Sequence, residues 1–313
     1  MYELTKEIRN EIGKVILGKD DIIQKVLMAI LSQGHVLLED VPGVGKTTLA
    51  LAFAKTLGLD SKRVQFTSDT LPSDVIGFSV YNREKNALEY KPGAIITNLL
   101  LADEINRTSS KTQSALLEAM AEGRITVDGT TYRLPSPFIV LATQNPAGSA
   151  GTQLLPVSQL DRFLLCLHMG YPDRNSEIEL MRERHHADPL TACRKLTDTK
   201  TLLQMIQTAQ ATHTDDRIYG YIASLLEASR KHPQLQLGVS PRGGLAVCRT
   251  AKAHAFLSGR DYVTPEDVSA VFRDVCAHRV LLSQKARMHE IPAEKVLTDI
   301  LEQTKAPDRI TIR

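Results

Sequence analysis

Glu39-Asp40-Val41-Pro42-Gly43-Val44-Gly45-Lys46-Thr47-Thr48 decides how this chain is read. It follows Val36-Leu37-Leu38, an apolar run that reads as a buried strand, and precedes Leu49-Ala50-Leu51-Ala52-Phe53-Ala54, which reads as a helix. A strand, a glycine-rich turn, Lys-Thr and a helix form the P-loop arrangement. The glycines let backbone N–H groups converge on phosphate oxygens, where Cβ atoms would crowd them. The helix N-terminus adds partial positive charge at the same point. Lys46 then reaches the β- and γ-phosphates, and the Thr47 hydroxyl can ligate Mg²⁺. The cradle is Pro42, Gly43, Val44, Gly45, Lys46, Thr47 and Thr48. Asp40 stands where the general pattern has glycine; aspartate tolerates left-handed backbone better than most residues, so the turn survives.

Composition sets outer limits. A chain of 313 residues suggests about two domains. It is 42% hydrophobic but only 5% aromatic with no Trp, so aliphatic residues must build the core. The net charge of +2 gives no polyanion footprint and argues against a DNA-directed motor. The cysteines Cys166, Cys193, Cys248 and Cys276 are too dispersed for a zinc site or a disulfide framework. No signal peptide and no membrane-length apolar run is read, so a cytoplasmic protein with reduced thiols is expected.

Working outward, Asn98-Leu99-Leu100-Leu101-Ala102-Asp103-Glu104 is a buried strand ending in two acids. The pair suits a Walker B site, with Asp103 fixing the metal and Glu104 polarising an attacking water. Phe138 to Thr143 is a second buried strand, ending in Gln144-Asn145-Pro146. Asn145 at its tip either forms an Asx turn or orients the lytic water on the ligand-binding edge of the sheet. Before the P-loop, Val15-Ile16-Leu17-Gly18 either packs in the core or walls an adenine, with Ile16 and Gly18 nearest the base. Arg162, in Asp161-Arg162-Phe163, is either a surface ion pair or an arginine finger for a neighbouring subunit. Two further stretches read as hairpins. One flanks the five-residue loop 82–86; the other alternates over 124–134 around Asp128-Gly129, whose type I′ turn needs positive φ at both residues.

Beyond Tyr171-Pro172 the strand signal stops. Helices are expected at 174–186, 197–212, 215–232, 241–258, 265–283 and 293–304. Ser240-Pro241 and Thr264-Pro265 are each an N-cap followed by Pro in the first helical position. Arg242 thereby lies on a first helical turn, facing either a site or solvent.

Together these residues resemble the AAA+ ATPases, and within them the MoxR family, from about residue 10 to 305. The resemblance rests on 39–47, Leu-Pro-Ser-Asp-Val-Ile-Gly at 71–77, Ala-Asp-Glu-Ile-Asn-Arg-Thr at 102–108 and Lys-Thr-Gln-Ser-Ala-Leu-Leu-Glu-Ala-Met at 111–120. Ala-Thr-Gln-Asn-Pro at 142–146, Gln-Leu-Asp-Arg-Phe at 159–163 and Ser-Pro-Arg at 240–242 complete it. It implies an α/β P-loop NTPase: an αβα sandwich with a five-stranded parallel sheet over 1–172, carrying helix-2-insert and pre-sensor-1 hairpins, and a helical lid over 173–313. It implies that Lys46, Thr47 and Asp103 bind ATP with Mg²⁺, that Glu104 is the base, Asn145 sensor 1, Arg162 the finger and Arg242 sensor 2. It further implies a homo-oligomer, a hexameric ring that remodels a protein client with a von Willebrand A-domain partner. The alternatives are a nucleotide-gated scaffold and a chelatase-like subunit.

Overall fold

The computed structural model describes residues 1–40, 43–145, 155–183 and 189–307. In chain order the elements begin with α1 (Tyr2–Gly13), α2 (Asp20–Leu31), β1 (Val36–Glu39), α3 (Lys46–Leu57), β2 (Ser61–Gln65) and α4 (Pro72–Ile76). A hairpin of β3 (Gly77–Asn82) and β4 (Ala87–Pro92) comes next, then β5 (Leu99–Asp103) and α5 (Ser110–Glu122). A second hairpin, β6 (Arg124–Val127) with β7 (Thr130–Arg133), leads into β8 (Ile139–Gln144), α6 (Val157–Leu160) and β9 (Leu165–Leu167). The C-terminal part holds α7 (Arg174–Glu183), α8 (Thr199–Gln210), α9 (Asp216–Lys231), β10 (Leu235–Leu237), α10 (Pro241–Leu257) and α11 (Pro265–Cys276). It closes with β11 (Leu281–Leu282), α12 (Gln284–Met288) and α13 (Ala293–Gln303).

The main sheet is five-stranded, in the order β2-β5-β8-β1-β9, and every pairing is parallel. Side chains alternate across it, so both faces are apolar, as a parallel sheet covered on both sides requires. Val36, Leu38, Leu99, Leu101, Ile139 and Leu141 enter one buried cluster. Leu37, Leu100, Ala102, Val140 and Ala142 enter the other, under α5 and the second hairpin. The first cluster continues into α8, α9, α10, α11 and α13, so the C-terminal helices share a core with one sheet face.

Local signals behave as the sequence implies. Ser240 caps α10 by accepting from Gly243 N–H at 3.1 Å, with Pro241 in the first turn. Thr264 and Asp267 form a capping box on α11. Asp128 and Gly129 both have positive φ, which closes the β6–β7 hairpin. Three expectations are corrected. The 265–283 helix stops at Cys276, and a short 3₁₀ turn follows. The strand signal does not end at 172, because β10 and β11 pair antiparallel within the helical part. Their three and two residues are too short to show a period of two, and the pairing follows from packing rather than from local pattern. The first hairpin loop is also shorter than expected, since Asn82 still pairs with Ala87.

Candidate ATP site and a separate arginine cavity

The turn after β1 feeds α3. Gly43 and Gly45 have φ of 90° and 92°, which is their reason for being glycine. A Cβ at either would meet no protein atom within 4 Å, so the demand is torsional rather than steric. Among the described residues, positive φ falls at five non-glycine positions, and Asp40 is not one of them. Asp40 therefore does not use the left-handed backbone allowed for it. Its carboxylate accepts from Gly170 N–H at 2.6 Å, tying the turn to the end of β9, and its carbonyl accepts from Lys46 Nζ at 2.6 Å. Lys46 is 9% exposed, and burial pulls its pKa below the ordinary lysine value against the opposing pull of Asp40, Asp103 and Glu104. Thr47 and Thr48 follow it on the first turn of α3, and Val44 packs on the core. Pro42 lies outside the described residues.

Strands β5 and β8 end beside this turn. Asp103 is 5% exposed; Oδ2 accepts from Arg63 Nε at 2.7 Å and Oδ1 from the Thr143 hydroxyl at 3.3 Å. Thr143 Oγ1 also accepts from the Glu104 N–H at 2.9 Å, so one hydroxyl links both acids to β8. Glu104 itself is left-handed, φ 57° and ψ 47°, a conformation that costs a non-glycine residue roughly 1–3 kcal/mol and turns its side chain off the strand. Its carboxylate accepts from Arg107 at 2.8 Å and from Asn145 Nδ2 at 3.1 Å. The Arg107 hydrogen bond, then Asn145 and the charge of Lys46, hold Glu104 below the usual carboxylate range despite partial burial. It is an ionised acceptor at neutral pH. Asn145 is fixed in turn by Asn106, whose Nδ2 donates to Asn145 O at 3.2 Å and whose Oδ1 accepts from Asn145 N–H at 3.4 Å. Gln113 on α5 holds the same loop through the carbonyls of Ile105 and Thr108.

Ile16 is buried in the core cluster. Gly18 has φ 68°, and a Cβ there would come 2.3 Å from Ser176 Oγ and 2.9 Å from Asp173 Oδ2. The close approach it permits is with the start of α7. Lys19 adds to this seam by donating to the carbonyls of Met169 and Tyr171.

Arg162 and Arg242 are elsewhere. Both line a cavity of about 120 Å³ with Gln33, His35, Arg249 and Arg279. Gln33 and His35 precede β1 whereas the P-loop follows it, so the cavity opens at the opposite edge of the sheet. A four-residue strand alone separates the two by about 13 Å. Arg162 donates to Leu117 O at 2.7 Å and makes no surface ion pair among the described residues. The acid of the cavity, Asp161, is engaged by Arg279 Nε at 2.9 Å and by the Ser240 hydroxyl at 3.4 Å. Arg63, Arg107, Asn106 and Arg249 were not singled out from sequence. Arg107 and Asn106 do lie inside the quoted 102–108 motif; Arg63 carries no local signal.

Residues 35–165 match the family described as "ATPase family associated with various cellular activities (AAA)", and residues 227–300 match the AAA lid domain. The chain is 38% identical to Chaperone MoxR1 of Mycobacterium tuberculosis, over 95% of this chain and 81% of that one. It is 32% identical to Protein MoxR of Methylorubrum extorquens, over 93% and 90%. The chain belongs to the MoxR family of AAA+ ATPases. It is an ATPase with a nucleotide-binding αβα core and a C-terminal AAA lid. Protein YeaC of Bacillus subtilis is 46% identical over 98% of this chain and 96% of that one. A crystal structure of a candidate ATPase from Cytophaga hutchinsonii superposes with a TM-score of 0.90 at 38% identity, covering 98% of this chain and 96% of that one. As a MoxR-family protein the chain carries, among its described residues, no helix long and apolar enough to cross a membrane.

Proposed function

We propose that this MoxR-type ATPase works as a cytoplasmic homo-oligomeric ring, a hexamer, that hydrolyses ATP at subunit interfaces to remodel a protein client, with a von Willebrand A-domain protein as partner. The core would occupy 1–172 and the lid 173–313. The observation that carries the reading is the placement of Arg162 and Arg242 together at the sheet edge opposite Lys46. Neither can serve the nucleotide of its own subunit from there, and both suit the nucleotide of a neighbour.

Lys46 and the turn at Gly43 to Thr48 would hold the phosphates. The Thr47 hydroxyl and the Asp103 carboxylate are hard oxygen donors of the kind Mg²⁺ prefers, and Asp103 is a buried acid next to the P-loop lysine, so these residues fit the metal. Mg²⁺ held there would supply neutralisation of the phosphate charge. Glu104, kept ionised, accepts a hydrogen bond from water in line with the γ-phosphorus, and Asn145 orients it. A positioned base contributes about 10²–10⁴-fold. Arg162 and Arg242 from the next subunit would stabilise the charge that develops on the γ-phosphoryl oxygens and on the departing ADP, a contact worth roughly 10³–10⁵-fold in comparable systems. The client would meet the β3–β4 hairpin, where Phe78, Tyr81 and Leu88 are exposed. Tyr90 and Tyr132 stack at 4.1 Å, so that hairpin and β6–β7 form one unit.

The test is the ATPase rate per subunit across protein concentration at fixed Mg-ATP. A steep rise to a plateau is expected, and Glu104→Gln should bind ATP without turning it over. A measurable rate independent of concentration would rule out completion of the site by a neighbour.

A further inference from the structure

We propose that Arg249 is a third arginine of this trans set, contacting with Arg162 and Arg242 the phosphates of the nucleotide held by the neighbouring copy. The inference rests on the interfacial reading above and extends it to a residue with no other role. Arg242 and Arg249 are seven residues apart on α10, two turns or about 10.5 Å along the axis, and so share one face. Both are exposed, and both line the cavity that Arg162 enters. Ala246, between them, is small enough to leave room for two guanidinium groups to converge.

Charge points the same way. Among the described residues no hydrogen bond or ion pair reaches the guanidinium of Arg242 or Arg249. Asp161 is occupied by Arg279 and Ser240 and cannot neutralise them. Partial loss of hydration and the like charge of Arg242 pull the Arg249 pKa below the ordinary arginine value, and Arg249 in turn disfavours a charge on His35. Clustered, uncompensated cations make a focused positive field and a site for a polyanion. Guanidinium forks match phosphate oxygens two at a time, which suits a nucleotide triphosphate better than an isolated carboxylate. The nucleotide of the same subunit lies at the other sheet edge, leaving the copy next door.

The role differs from a packing role in what substitution should change. The Arg249 backbone carbonyl accepts from the Ser32 hydroxyl at 3.3 Å, a contact that survives replacement of the side chain. In the full-length chain, Arg249→Gln should keep its melting temperature and its affinity for a fluorescent ATP analogue at protein concentrations below the rise in rate. Its plateau rate should fall on the order of 100-fold, as for loss of one transition-state donor. Mixing Arg249→Gln with Glu104→Gln should restore turnover, because the second variant lends its intact arginine to the first variant's intact base. Arg162→Gln mixed in the same way is the control for the interfacial reading. A near-normal plateau for Arg249→Gln would overturn the proposal. So would weakened analogue binding in dilute protein, or failure to complement where Arg162→Gln succeeds. If wild-type turnover shows no concentration dependence and Arg162→Gln also fails to complement, the interfacial reading itself falls, a result distinct from losing Arg249 alone.

Discussion

His35, at the wall of the arginine cavity, should make this protein lose stability in mildly acidic solution. The residue is 7% exposed. Its Nδ1 accepts from Val140 N–H at 3.0 Å, so the ring is neutral and its proton sits on Nε2, which donates to Met120 O at 3.0 Å. Phe138 packs edge-on at 5.7 Å. Burial, with a smaller push from Arg249 and against the Met120 hydrogen bond, lowers the pKa from 6.5 to about 4. Protonating Nδ1 would aim a donor at a donor. The folded pKa lies below the unfolded one, so the unfolded chain binds the extra proton, and stability drains away as pH falls from about 6.5 to about 4. At pH 4.5 the loss from this residue is on the order of 2–3 kcal/mol. His278, lowered to about 3 chiefly by burial, adds a loss of the same sign, so a comparison is needed to isolate His35. His35→Gln can keep an acceptor toward Val140 and a donor toward Met120 but cannot titrate. Urea denaturation followed by circular dichroism at pH 7.5 and 4.5 should show wild type losing on the order of 2–3 kcal/mol more than the variant between the two conditions. Parallel losses in the two proteins would refute the assignment.

Asn106→Ala should free the loop that carries Asn145: it leaves the buried N–H and C=O of Asn145 without partners, at roughly 1–3 kcal/mol each. Denaturation should show that loss together with a fall in turnover at saturating ATP, while normal turnover would mean that Asn106 does not position Asn145. Arg63→Gln removes the cation on Asp103 Oδ2, so the Mg²⁺ concentration for half-maximal ATP-analogue binding should fall several-fold. Arg63 is half exposed while Asp103 is buried, so the pair is only partly screened by solvent, and its loss should cost about 1 kcal/mol or somewhat more of stability. An unchanged or raised Mg²⁺ requirement would count against competition at that oxygen.

What was legible in the sequence is what a few neighbouring residues determine. A strand over Val36-Leu37-Leu38, two glycines and Lys-Thr lead into a helix, and the structure has β1, two left-handed glycines and α3 in that order. Leu99–Asp103 and Ile139–Gln144 were visible because strands buried on both faces are continuous apolar runs. Ser240-Pro241, Thr264-Pro265 and Asp128-Gly129 announced two helix starts and a turn, since caps and turns are settled within three or four residues.

The rest needed residues far apart in the chain. Nothing local tells β10 that β11 will pair with it, and both are too short to carry a period of their own. The Asp103–Arg63 ion pair joins β5 to β2, and the exchange between Asn106 and Asn145 joins the turn after β5 to the end of β8; only the sheet order makes these segments neighbours. Arg162 and Arg242 were each open to two readings from sequence. Folding places them, with Arg249, in one cavity across the sheet from Lys46. Short-range propensity writes the elements and the glycine-rich turn into the sequence. Which charges end up side by side, and on which edge, is decided by packing both faces of a parallel sheet at once.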